Sequence, residues 1–184
     1  MVDRSTRHAV ALSLLVLLAP GLTAPAALAQ TVDDGLVAAQ QGDLAGAVAI
    51  WTPLAEAGQA EAQYRLGFAH AGGWGVPEDQ ARAAAWYARA ADQGHAPAFV
   101  QLGHMHADGR HFARNEAQAA AWFRRAADAG NADGRYYLGH AHYQGRGVPR
   151  DIEKALHLWQ LAAAQRHEGA RLDLCDEKPE FCNR

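Results

Sequence analysis

The residues best equipped for chemistry in this chain are its ten histidines. Two close pairs, His104-x-His106 and His140-x-His142, resemble chelating motifs. On a helix, residues two apart lie about 200° around the axis and face different sides. One such pair therefore does not hold one metal. Equivalent histidines further along the chain would stand on separate helix pairs, roughly 10 Å or more apart between backbones. No metal ligand set is expected. Between Gln30 and Arg184 there is no serine, which removes serine-nucleophile catalysis. A cysteine nucleophile would need Cys175 or Cys182 free and activated. The carboxylate pairs Asp33-Asp34 and Glu78-Asp79 sit where helices should start, and negative charge there favours the helix dipole. No glycine-rich phosphate loop follows a strand, because no strand is evident. The expectation is a non-enzymatic chain with no catalytic residue and no cofactor.

The elements that carry these residues follow from a repeat. Leu-Gly recurs at Leu66-Gly67, Leu102-Gly103 and Leu138-Gly139, 36 residues apart each time. Gly58, Gly94 and Gly130 keep the same step, as do Asp79, Asn115 and Asp151. Trp51, Tyr87, Phe123 and Trp159 form an aromatic column, and Ala47, Ala83, Ala119 and Ala155 a small one. Each period reads as two helices. The first covers 60–71, 96–107 and 132–143. The second starts after Asp79, Asn115 or Asp151, whose side chains can accept from the first free backbone N–H groups. It ends at Gly58, Gly94 or Gly130, where a left-handed residue stops a helix. Ala83, Trp86, Tyr87 and Ala90 make one stripe at helical spacing.

Composition agrees with close packing. The chain is 49% hydrophobic, but 43 of its 184 residues are alanine, and Leu, Ile, Val and Phe together number only 34. Disorder at that low aliphatic content would need high net charge, and the net charge is -3. Near-neutral charge without a run of Lys or Arg argues against a nucleic-acid partner.

Residues 1–29 read as a secretory signal peptide: Arg4 and Arg7, an apolar stretch over 9–18, the breakers Pro20, Gly21 and Pro25, then Ala27-Leu28-Ala29. The expected location is exported, periplasmic or secreted, with membrane contact only through this segment if it stays uncleaved. The remaining 155 residues carry a charge of -4, one domain's worth of chain. In an oxidising compartment Cys175 and Cys182 are expected to pair. Their C-x6-C spacing also suits half a metal site, but only two thiols exist. Closing so short a loop is worth roughly 2–3 kcal/mol.

The repeat resembles the Sel-1-like repeat family, relatives of the tetratricopeptide repeats, of the exported bacterial type. The likeness lies in AEAQYRLGFAHAGGWGVPEDQARAAAWYARAADQG and its two successors. It rests on Leu-Gly, the Gly-x-Gly-Val loop, the capping Asp, Ala-x-x-Trp-Tyr and the closing Ala-Ala-x-x-Gly. It implies an all-α, right-handed solenoid of antiparallel helix pairs. The units are then a half-repeat cap at 30–59, three repeats and the start of a fourth at 60–174, and a disulfide-closed cap at 175–184. The middle loop, GRHFARN, departs from the pattern by lacking the second glycine and the Val-Pro. Arg166 replaces a capping glycine. The family's tyrosine slot holds His70, His106 and His142, expected to be partly buried. The paired cysteines of disulfide-rich relatives are missing, so no lactam-binding or lactam-hydrolysing activity carries over.

By the same resemblance the first helix of each unit lines a concave face. Its outward positions give Glu61, Tyr64 and Phe68, then Val100 and His104, then Tyr136, His140 and Tyr143. These are the candidate partner-binding residues; the alternative is that Tyr64, Val100 and Tyr136 pack against neighbouring helices. The implied function is an exported scaffold, expected to be monomeric, that holds a protein or peptide partner. Two other readings stand beside it. One is a cell-envelope enzyme or glycan binder, which would need paired carboxylates in one cleft. The other is a histidine-based metal or pH responder. Leu172 and Leu174 are expected to continue the repeat register into the C-terminal cap.

Overall fold

The computed structural model describes residues 30–179. The proposed signal segment and Cys182 lie outside them. The described residues form nine α-helices and no strand: α1 (Val32–Gln40), α2 (Leu44–Glu56), α3 (Ala60–Gly72), α4 (Gln80–Asp92), α5 (Ala96–Asp108), α6 (Glu116–Asp128), α7 (Ala132–Gln144), α8 (Ile152–Ala164) and α9 (Glu168–Glu177). Each helix packs on the next in sequence, and α5 also touches α7. The result is an all-helical solenoid in which α3, α5, α7 and α9 form one layer, called here the inner layer.

Local sequence sets both ends of the helices. Asp79, Asn115 and Asp151 share one extended backbone conformation, and their side chains accept from the N–H of Arg82, Gln118 and Lys154 at 2.9, 3.0 and 3.0 Å. Such a cap is worth about 1 kcal/mol. Helices α3, α5 and α7 stop at Gly73, Gly109 and Gly145, all left-handed.

The repeated Leu-Gly and the aromatic column explain each other. A Cβ placed on Gly67 would fall 2.6 Å from the Tyr87 ring, one on Gly103 2.4 Å from Phe123, and one on Gly139 2.4 Å from Trp159. The glycine is therefore the floor on which the facing helix lays its ring, and a methyl there would overpack the joint by about 1–3 kcal/mol. Leucine beside it is buried each time, with Leu66, Leu102 and Leu138 at most 3% exposed. Alanines such as Ala83, Ala90, Ala119 and Ala155 fill the rest of the contact at 0–2% exposure.

The N-terminal pair obeys the same rule in shortened form. Trp51 lies on Gly35, where a Cβ would fall 2.2 Å from its ring. Trp51 Nε1 donates to Val32 O at 3.1 Å, as Trp159 Nε1 donates to Tyr136 O at 3.2 Å. The glycine-to-ring separation is 16 residues here and 20 in the later units, because a tight turn at Gly42 replaces the longer loop.

Three expectations need correction. Val100 is not an outward residue. It is 4% exposed and belongs to the central core, because α4, α6 and α7 all pack against α5 and valine is too short to reach past them. His70 and His142 are buried outright, at 7% and 4% exposure, while His106 alone is part-buried. Leu174 continues the core at 3% exposure, but Leu172 points outward at 51%. No helix packs beyond α9 among the described residues to cover it.

Candidate functional site

The inner layer carries a file of side chains at matched repeat positions. Phe68 on α3, His104 on α5 and His140 on α7 stand 36 residues apart and so occupy one column. Around this column rings meet both within one helix pair and across helices. Phe68 meets Trp74 edge-on at 4.3 Å. His104 meets Tyr137 at 4.4 Å and Phe123 at 5.3 Å, both edge-on. His140 meets Tyr136 at 4.6 Å and Trp159 at 4.9 Å.

Imidazole–carboxylate pairs tie the layer together. His95 stands at the N-terminal position of α5 without a side-chain capping bond, and its Nε2 lies 2.8 Å from Glu61 on α3. His167 caps α9: its Nδ1 accepts from Ala170 N at 3.0 Å, so its Nε2 carries the proton toward Asp133, 3.2 Å away on α7. His140 Nε2 lies 2.8 Å from Asp173 on α9. Tyr143 donates its O–H to Glu177. The joint between α5 and α7 holds no such pair, since its matching positions are Pro97 and Asn131.

The electrostatics follow from these contacts. Burial pushes the Glu61 carboxyl up, but the His95 hydrogen bond and the Arg65 charge outweigh it and leave its pKa lowered. Burial pushes the Tyr136 phenol up to about 12, and the Asp173 carboxylate adds to the shift. Tyr136 is thus a neutral donor at any ordinary pH. Burial lowers the pKa of His104, against a smaller opposing pull from Asp108.

Three hollows open along the column. The first, about 190 Å³, is apolar and lies among α1, α2 and α3, walled by Leu36, Leu44, Trp51, Phe68 and Trp74. The central one, about 290 Å³, is lined by His104, Phe123, Tyr136, Tyr137 and His140, with Asp108, Glu116 and Arg146 at its polar side. Asp108 and Glu116 are already paired with Arg110 at 3.0 Å and Arg114 at 2.6 Å. The third, about 130 Å³, is lined by His140, Tyr143, Trp159, Asp173, Asp176 and Glu177. A separate hollow of about 440 Å³ lies between α2 and α4, where His70, Trp86 and Arg89 meet.

Of the sequence-derived residues, Phe68, His104, Tyr136, His140 and Tyr143 line these three hollows. Tyr64 is half-buried, its ring tilted against His95 at 4.9 Å and against Tyr87 at 5.8 Å. Glu61 is engaged by Arg65 at 2.6 Å and by His95. Sequence reasoning missed His95, His167 and Asp173. A signal existed for two of them: His95 follows Glu61, and His167 follows Asp133, by the same 34 residues. Among the described residues no group of three His, Cys, Asp or Glu side chains is placed to hold a metal ion. No helix among them is long and apolar enough to cross a membrane. The arrangement can bury apolar groups, stack rings and offer neutral donors.

The comparisons with known proteins agree with this architecture. A Sel1 repeat model matches residues 60–95, 98–131 and 132–167. Among solved structures, the chain is similar to a protective antigen of uropathogenic Escherichia coli strains that displays an SLR fold. That match has 32% identity and a TM-score of 0.71, over 81% of this chain and 34% of that one. It is similar to a Sel1 repeat protein from Oxalobacter formigenes at 26% identity and a TM-score of 0.74, over 78% of this chain and 59% of that one. The chain thus spans about a third of the first relative and 59% of the second. Cysteine rich protein B of Helicobacter pylori shares the fold, at 17% identity and a TM-score of 0.54 over 76% of this chain and 94% of that one. No curated protein sequence matches this chain.

Proposed function

We propose that this chain, which belongs to the Sel1 repeat family, is a non-enzymatic scaffold that holds a protein or peptide segment along its inner layer. The observation that carries the reading is the single column Phe68–His104–His140 passing through three hollows. Concave apolar pockets lined by rings suit the anchor side chains that dominate binding energy at protein interfaces. Phe68 and Trp74 are 37% and 43% exposed, so burying them under a partner would release apolar surface from water.

The test is photocrosslinking of the chain in its own cells, with and without Phe68→Ala, His104→Ala and Tyr136→Ala combined. Captured partners should be lost while the far-UV helix signal stays. Unchanged capture by the folded variant would sink the reading.

Residues 1–29 favour an exported location, and the pairing of Cys175 with Cys182 belongs to the same proposal. Cys175 lies in the last turns of α9, where a closed loop would pin the terminal helix.

A further inference from the structure

Resting on the reading that the inner layer takes a peptide segment, we propose that this segment is bipartite. It presents an aromatic or aliphatic side chain to the hollow beside Phe68 and Trp74, and a lysine or arginine to the carboxylate-lined hollow at α9. The two ends of the column differ in chemistry. The first hollow is apolar, and its one charged wall residue, Arg65, is held by Glu61 at 2.6 Å. Leu44, Phe68 and Trp74 stand exposed at its rim.

The third hollow has the opposite character. Three carboxylates line it, Asp173, Asp176 and Glu177, and no lysine or arginine does. Asp173 is engaged by both His140 and Tyr136, and Glu177 accepts from Tyr143. That leaves the exposed Asp176 and Glu177 as the carboxylates open to solvent. The rings of Tyr143 and His140 in the same wall can pack a long cationic side chain along its stem and face its charge.

The spacing fixes the length of the segment. From α3 to α7 the column crosses two inner-layer steps of about 10 Å each. An extended chain covers that and the entry to the last hollow in about six to eight residues at 3.3–3.6 Å each.

The experiment pans a displayed library of random twelve-residue peptides on the purified chain. Enriched peptides are then measured by fluorescence anisotropy against Phe68→Ala, His104→Ala and Asp176→Asn variants. Enrichment should favour an apolar residue and a basic residue about six to eight positions apart. Asp176→Asn should weaken such a peptide by up to about fivefold, the scale of one partly exposed ion pair. Replacing the peptide's lysine by glutamate should weaken it further, and added salt should shrink the difference. Peptides that lose binding with Phe68→Ala and His104→Ala but show no basic preference overturn the bipartite segment and leave the binding face standing. Peptides indifferent to all three variants overturn both. An absence of enrichment overturns the bipartite segment, and the crosslinking outcome then decides the face by itself.

Discussion

Arg166 occupies the helix-ending position that Gly58, Gly94 and Gly130 fill elsewhere, and it adopts the same left-handed backbone, φ 66°. A Cβ on Gly94 would meet nothing within 4 Å. The demand at this position is therefore conformational and not steric crowding. A side chain in that region costs about 1–2 kcal/mol, less the extra chain entropy that glycine loses on folding. Arg166→Gly should stabilise the fold by about 1 kcal/mol, read as a rise in melting temperature of about 2–4 °C. Gly94→Arg, the reverse change, should lower it by a similar amount. If Arg166→Gly melts at or below the parent temperature, the backbone-strain account fails. Gly103 is constrained differently, because there the Phe123 ring fills the space a Cβ would need. One residue type thus meets two separate physical demands, and the sequence marks both with the same letter.

At the scale of elements, α5 packs against α4, α6 and α7, and His104 on it is an imidazole that feels this enclosure. Its ring lies between Phe123 of α6 and Tyr137 of α7. The charges that face it are Asp108 and Arg110 at the end of α5 and Asp133 at the start of α7. Burial dominates and depresses its pKa below 6.5. The folded state therefore binds fewer protons than the unfolded chain between the folded pKa and 6.5, and stability rises with pH there. His106 has the same sign through burial. The stabilisation is complete above the unfolded value and drains away as pH falls through 6.5 toward the folded value. Melting temperature should drop between pH 7 and pH 5, and His104→Gln should flatten that slope. An identical slope in the variant would show that the joint between α5 and α7 does not carry it. Element boundaries were legible because their signals are local: a capping side chain three residues from the amide it accepts from, and a left-handed glycine at the stop. The burial of Val100 was not legible, since it depends on three helices closing over α5 at once.

At the scale of the whole molecule, contacts run from each helix to the next, with α5 and α7 touching directly besides. Stability in such a chain is a sum over neighbouring joints, and the two ends are the weak places. The end at α9 exposes Leu172 and rests on Leu174, Ala170 and the imidazole–carboxylate contacts of His140 and His167. The proposed Cys175–Cys182 loop would act there. Reductant should lower the parent's melting temperature by about 5 °C and leave Cys175→Ala unmoved; equal melting of the parent in both conditions would dismiss the loop. The sequence by itself determined the repeat, the helix pairs, the family likeness and the column Phe68–His104–His140, because a fixed period of 36 residues repeats one local solution. Only the tertiary structure decided which members of that column stay open, how the hollows divide into apolar, ring-lined and acidic, and that His95, His167 and Asp173 join the inner layer. Those outcomes depend on how far each side chain reaches across to the next helix pair, a distance set in space and not along the chain.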